Sequence, residues 1–502
     1  MFISQCALGL TDQLDPNAGK VTIDILPDDV LVKIFHFYVN DNDGSNPWTN
    51  EWLRLVHVCR RWRYTVFALP RHLHLQLAYT GNIPFKIPDT LSVVPVVISK
   101  SHLHLYIPPR LLPDQGHVWS NKVAALDSKH HTRICQIHLS NIPDSHVEAI
   151  KAAMQKPFPA LTDLFLSVNG DRALCIPASF LGGSGPHLRT LTLKKCSYPA
   201  AQKLLLSANH LVTLSLKDIP DSGYISPDAL VTAFSGMFRL ETLQLEFRYP
   251  QSHIDPESLR PPPLTRTILP ALTRFTFEGN HEYSEGLMAQ IDAPLLYDLR
   301  IVFFMGRDFE VPQLYQFVSH REAFNTFHRA EMIIGDFQIF CRLSSAKPID
   351  YHKQLWLEMR FGRVNRQLSS VAQDCIVSLP PLSNVKQLKI RPPLNWRDKL
   401  ESESTPWLER LKPFTAVENL TVSYQFVRHV SHAMEMLDGE EVTEVLPALR
   451  NLFLRGCTWE PYRKAVKTFV AARQFSGYPL TVHYWDRNGG WENITDNLMF
   501  GG

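Results

Sequence analysis

The side chains best suited to chemistry in this 502-residue chain are its histidines, its cysteines and one Gly-Ser stretch, and their spacing completes none of the sites they could build. GGSGPH at 182–187 begins like the turn that lifts a serine hydroxyl for acyl transfer, but that turn needs glycine where Pro186 stands. No third glycine follows to cradle a pyrophosphate, and no G-x-x-x-x-G-K-[ST] loop exists. His281-Glu282 opens like a zinc-protease helix, but Glu285 occupies the position of the second histidine ligand. The pairs His72/His74, His102/His104 and His130/His131 lack a nearby cysteine or acidic partner and read as surface or strand-edge histidines. Eight cysteines lie at 6, 59, 135, 175, 196, 341, 375 and 457 without a C-x-x-C pair, a scatter suited to thiols in a reducing compartment. No catalytic residue, metal or cofactor is expected, and the chain reads as a non-enzyme.

Composition narrows the partners. With 51 basic and 49 acidic residues the net charge is +2, and no basic run marks a nucleic-acid surface. The N-terminus MFISQCALGLTDQLDP lacks the basic region of a signal peptide. The longest apolar run, Leu91 to Ile98, contains Pro95 and is too short to span a bilayer. The expected location is cytoplasmic or nuclear, with no membrane contact. Proline, at 36 residues against 23 glycines, argues for many short elements.

The elements that must position any site fall into two kinds. Pro27, Asp28 and Asp29 suit a first helical turn, where N–H groups are free and the dipole is positive. Val30, Leu31, Ile34, Phe35 and Tyr38 then recur at helical spacing. After the polar break NDNDGSNPWTN, Trp52, Leu55, Cys59, Trp62 and Val66 place one continuous stripe on a second helix, which Pro70 ends. Beyond it, Leu73, Leu75 and Leu77 alternate like a strand, and Val93 to Ile98 reads as a buried one.

From there an apolar-x-x-apolar-x-apolar hexad returns as ICQIHL (134–139), LTDLFL (161–166), LRTLTL (188–193), LVTLSL (211–216), LETLQL (240–245), LTRFTF (272–277) and LYDLRI (296–301). It continues as VKQLKI (385–390), VENLTV (417–422) and LRNLFL (449–454), with weaker copies at 327–332 and 355–359. The spacing of 23 to 32 residues fits a leucine-rich repeat of variable length. Asn169, Cys196, Asn280 and Cys457 stand three residues past a hexad end, where a small buried polar side chain can satisfy backbone groups leaving a strand. The expected fold is therefore an α/β repeat. A flexible N-terminus (1–20) precedes an all-α module (21–70). An irregular leucine-rich repeat solenoid (71–480) follows, a horseshoe of about twelve parallel strands, and then a fraying C-terminal tail (481–502).

The run Leu26-Pro27-Asp28-Asp29-Val30-Leu31-Val32-Lys33-Ile34-Phe35, followed by Val58-Cys59-Arg60-Arg61-Trp62, resembles the F-box. PFTAVENLTV (413–422), EVLPALRNLFL (444–454) and FVAARQFSGYPLTV (469–482) are similar to the C-terminal stretches of the large fungal F-box proteins with divergent leucine-rich repeats. The resemblance implies a substrate-recognition subunit of an SCF-type ubiquitin ligase. Its F-box would dock on a Skp-family adaptor and, through it, on cullin, while its repeats would hold a protein substrate. By position in the motif, Leu26, Pro27, Val30, Leu31, Ile34, Leu55, Val58, Cys59 and Trp62 are adaptor-binding or module-forming. An insert at 40–51 departs from the short link usual in the family and could alter the adaptor contact. In the repeats, the hexad leucines are core, and the side chains between them point to the opposite face. Phe165, Thr192, Ser215, Gln244, Thr276, Arg300, Lys389, Thr421 and Phe453 are expected to line the concave face and bind substrate. The alternative is an interaction scaffold on the same repeats, without ubiquitylation.

Overall fold

The computed structural model describes residues 26–40, 53–68, 77–80, 96–98, 116–170, 173–197, 201–248, 266–304, 310–334, 338–345, 353–360, 380–393, 411–423, 426–427, 430, 444–455, 463–485 and 490–495. The insert, apart from Asn40, and Cys457 lie outside them. The chain divides into two compact units, residues 1–138 and 139–502.

In the first unit, helices α1 (Asp28–Asn40), α2 (Leu53–Val56) and α3 (Arg60–Ala68) form the N-terminal module. The Pro27 carbonyl accepts the first helical bonds, from Val30 and Leu31 N–H at 3.1 Å, so α1 starts where the proline and acidic residues indicated. The single second helix expected from the 52–66 stripe is two. Cys59 interrupts it as the N-cap of α3: its carbonyl accepts from Arg63 N–H at 3.1 Å, and its Sγ from Trp62 N–H at 3.4 Å. Farther along, β1 (Leu77–Tyr79) pairs in parallel with β2 (Val96–Ile98), and β2 with the first residues of β3 (Ile134–Ile142).

The second unit is built on one mixed, mainly parallel sheet. Its strands are β4 (Asp163–Val168), β6 (Thr190–Lys194), β8 (Thr213–Ile219), β9 (Thr242–Phe247), β11 (Arg274–Gly279), β13 (Asp298–Phe304), β14 (Arg329–Ile334), β15 (Gln338–Ser344), β16 (Gln354–Arg360), β17 (Gln387–Arg391), β18 (Asn419–Ser423), β19 (Asn451–Arg455), β20 (Thr481–Trp485) and β21 (Trp491–Asn493). Two short parallel pairs, β5 (Leu174–Cys175) with β7 (Cys196–Ser197) and β10 (Thr267–Ile268) with β12 (Ile291–Asp292), join neighbouring repeats. All twelve hexads end in strands, and their apolar positions alternate into the core, as in β9, where Leu243, Leu245 and Phe247 are buried between half-exposed neighbours. Helices such as Asp144–Ala153, Pro227–Phe234 and His281–Gln290 connect successive strands, as parallel pairing demands.

Three features depart from the sequence reading. The sheet does not follow chain order through its middle: β13 pairs with β16, β16 with β15, β15 with β14, and β14 with β17. The segment β14–β15–β16 is thus an antiparallel meander set in reverse order into a parallel ladder. Only residues 335–337 join β14 to β15, far too few for a parallel crossover. The register also makes Leu357, opposite Ile301, the last hexad residue of β16 rather than Met359. Finally, part of the expected tail is ordered sheet, β20 pairing with β19 in parallel and β21 closing on β20 antiparallel.

Of the Asn and Cys marks, Cys196 and Asn280 are buried, but Asn169 is exposed and contributes its backbone N–H to Ile142 O at 2.8 Å. In three repeats the backbone bends through a left-handed residue two places past the hexad end: Asn141 (φ 60), Lys195 (φ 56) and Asp218 (φ 50).

Candidate functional site

The N-terminal module closes around Leu31, Phe35, Leu55, Val56 and Val66, with Leu26, Val32, Trp62 and Phe67 packed at its edge. The rings of Phe35 and Trp62 meet edge-on at 4.8 Å. Arg61 ties α3 to the start of α1 by donating to Leu26 O and to Asp28 Oδ1, and Arg63 Nε donates to Val56 O at 2.9 Å. The apolar stripe of α1 therefore splits. Leu31 and Phe35, one turn apart, face inward, whereas Ile34, Phe37 and Tyr38 remain exposed. Val58 at 57% and Tyr64 at 76% are exposed as well. Of the nine residues drawn from the motif, Leu31 and Leu55 lie in the core. Leu26, Val30, Cys59 and Trp62 are half-buried, and Pro27, Ile34 and Val58 are exposed. Phe37, Tyr38 and Tyr64 were not among the nine, although Tyr38 already stood on the helical stripe.

The row between the hexad leucines is one continuous line across the second unit. Laterally paired residues run Phe165, Thr192, Ser215, Gln244, Thr276 and Arg300. The line continues through Trp356, Arg342, Glu331, Lys389, Thr421, Phe453, His483 and Asn493. All nine expected residues lie on it. Trp356, Arg342, Glu331, His483 and Asn493 were missed, the first three because the meander is invisible to simple hexad spacing. Ser215 departs from its expected role at a surface: it is 4% exposed, and its hydroxyl donates to Gln244 Oε1 at 2.9 Å.

Charge and aromatic character are unevenly spread along this face. Arg360 bridges Glu278 and Glu358. Burial raises the Glu278 carboxyl above its ordinary range, opposed by Arg360 and reinforced by Glu246 and Glu358. Lys389 and Arg391 both hold Glu331, at 2.9 and 2.8 Å. Burial opposes the Glu331 charge, but the bonds from Arg391 and Lys389 outweigh it and keep the carboxyl below its ordinary range. At the C-terminal end Phe453 stacks on His483 at 4.7 Å, and Trp491 meets both Phe453 and Trp485 edge-on at 5.0 Å.

Residues 23–76 match the F-box-like family model. No curated protein matches the chain. Among solved structures, the leucine-rich repeat-containing protein LegL7 from Legionella pneumophila is similar at 12% identity, over 73% of this chain and 89% of that one, with a TM-score of 0.18. The repeat architecture downstream of the F-box-like segment rests on the strand pairings themselves. Among the described residues no helix is long and apolar enough to cross a membrane, and no three His, Cys, Asp or Glu side chains are grouped to hold a metal ion.

The helix that opens with His281 and Glu282 serves as a joint. Glu285 reaches from it to the start of the next helix, Pro312–Ser319, and accepts from Gln313 and Leu314 N–H at 2.7 and 2.9 Å. Burial pushes its carboxyl up from 4.5 to about 7, against the pull of those two donors. The folded chain thus keeps a proton that the unfolded chain releases. The stability so contributed is complete below pH 4.5 and is lost as pH rises to about 7. Comparing denaturation midpoints of the wild type and Glu285→Gln across this window should show the steeper decline in the wild type. Parallel curves would contradict it.

Proposed function

We propose that the chain is the substrate-recognition subunit of an SCF-type ubiquitin ligase, of the kind found in the large fungal F-box family. Its F-box-like segment binds a Skp-family adaptor, through which cullin is recruited, and its repeats hold a protein substrate. The observation that carries this reading is the exposure of five apolar and aromatic side chains, Ile34, Phe37, Tyr38, Val58 and Tyr64, on a module whose core is already closed. Pro27, Ile34 and Val58 make the adaptor contact. Leu26, Val30, Cys59 and Trp62 border it, and Leu31 and Leu55 hold the helices that present it. The chain makes and breaks no bond. It acts by proximity, raising the effective concentration of substrate lysines near a charged ubiquitin carrier. The free thiols of Cys59, Cys175, Cys196 and Cys341 suit the reducing cytoplasm or nucleus where this assembly works.

Pull-down of the full chain with a Skp-family adaptor tests the reading. The wild type should be retained, and Val58→Asp or Ile34→Asp should weaken retention at least tenfold, because a carboxylate is then buried without a partner. Circular dichroism of the variants should match the wild type, since both side chains are exposed in the free chain. A wild type that fails to bind removes the ligase reading. If the adaptor binds but levels of a captured partner are the same in cells with and without the F-box-like segment, the chain is a scaffold.

A further inference from the structure

The reversed meander sets two arginines beside one tryptophan, which chain order alone would not. It places Arg342 of β15 on one side of Trp356 and Arg300 of β13 on the other. The two Cα atoms are therefore two strand spacings apart, about 10 Å. The Arg300 guanidinium lies over the Trp356 ring, 4.5 Å from its centroid. Phe340 abuts the same indole edge-on at 4.2 Å, and Trp356 Nε1 donates to Glu358 at 3.3 Å, so the indole is held in place. Of the carboxylates on this face, Glu278 and Glu358 are held by Arg360, and Glu331 by Lys389 and Arg391. Among the described residues neither Arg300 nor Arg342 has a carboxylate partner. In both, the Nε–H is closed off from water without a hydrogen bond, so a ligand can reach only the terminal guanidinium nitrogens. Both arginines lie half-exposed on the central row, among the residues the receptor reading assigns to substrate.

We propose that Arg300 and Arg342, on either side of Trp356, receive a carboxylate side chain of the bound protein segment. The forked guanidinium groups match a carboxylate, which supplies the counter-charge that neither arginine has among the described residues. The exposed part of the indole takes an apolar neighbour of that acidic residue. This inference rests on the receptor reading of the repeats.

Selection from a displayed random-peptide library on the immobilised full chain tests it. The wild type should select peptides enriched several-fold in Asp and Glu over those selected by Arg300→Gln/Arg342→Gln, and raised salt should release them. Circular dichroism checks that the double variant is folded. Arg300→Lys/Arg342→Lys, which keeps the charge and loses the fork, should fall between the two. Equal acidic content from wild type and double glutamine variant, or no enriched pool from the wild type, overturns the proposal. The adaptor pull-down on the same preparations separates the two readings: a chain that binds adaptor but selects no acidic peptide loses only this inference.

Discussion

An Arg473→Ala chain is expected to open its last repeats, at a cost of about 3–5 kcal/mol, because three backbone carbonyls lose a donor, Leu446 O keeping only Leu449 N–H, and a buried side chain is removed. Arg473, in the helix Arg463–Phe475, is 0% exposed. It donates to Leu446 O and Pro447 O at 3.3 Å and to Leu449 O at 3.1 Å, and its guanidinium sits between the rings of Phe469 and Tyr478. These bonds fasten the turn before β19, where Leu446 holds φ at 53°, a left-handed conformation that a leucine adopts only under constraint. Lysine cannot replace it, since one ammonium does not present a planar fork to three carbonyls. Hydrogen exchange should show faster exchange across 444–455 and 463–485, with β4 to β9 unchanged, because repeats feel mainly their neighbours. Unaltered protection at β19 and β20 would show the turn holding without the arginine.

Leu31→Asp should have the second large effect, roughly 4–5 kcal/mol against the N-terminal module. Leu31 is 0% exposed beside Phe35, Leu55, Val56 and Val66, so an aspartate there removes packing and buries an unpaired carboxylate. Limited proteolysis of the full chain should cut the Leu31→Asp protein within 21–70 far faster than the wild type. Val58→Asp, on the outside of the same module, should resist like the wild type. Equal resistance of all three proteins would show that Leu31 does not hold the core. The contrast separates a side chain that builds the helices from one that presents their surface.

Much of this was legible in the sequence because the signals are local. Pro27 with its two aspartates marks the start of α1 through helix-end physics that operates within one turn. The hexads marked the strands because alternation toward a buried face repeats every two residues, whatever lies far away. That Thr192, Gln244, Arg300, Lys389 and Phe453 share the face opposite the core followed from that alternation alone. The break at Cys59 was less legible: the 3-and-4 stripe runs unbroken through an N-cap, since periodicity counts spacing and not the bond that ends a turn. The strands β20 and β21 were hidden by the Gly and Asn residues that surround them.

The sequence by itself determined the helical module, the strand positions and which side chains share the face opposite the core, all consequences of short-range periodicity. Only the tertiary structure decided that Leu31 and Leu55 are enclosed while Ile34 and Val58 stand outside, because burial depends on which helix closes on which. It alone decided the order of β13, β16, β15, β14 and β17, because lateral pairing joins residues far apart in the chain and no local pattern encodes the neighbour. That order sets Arg300 and Arg342 on the two sides of Trp356.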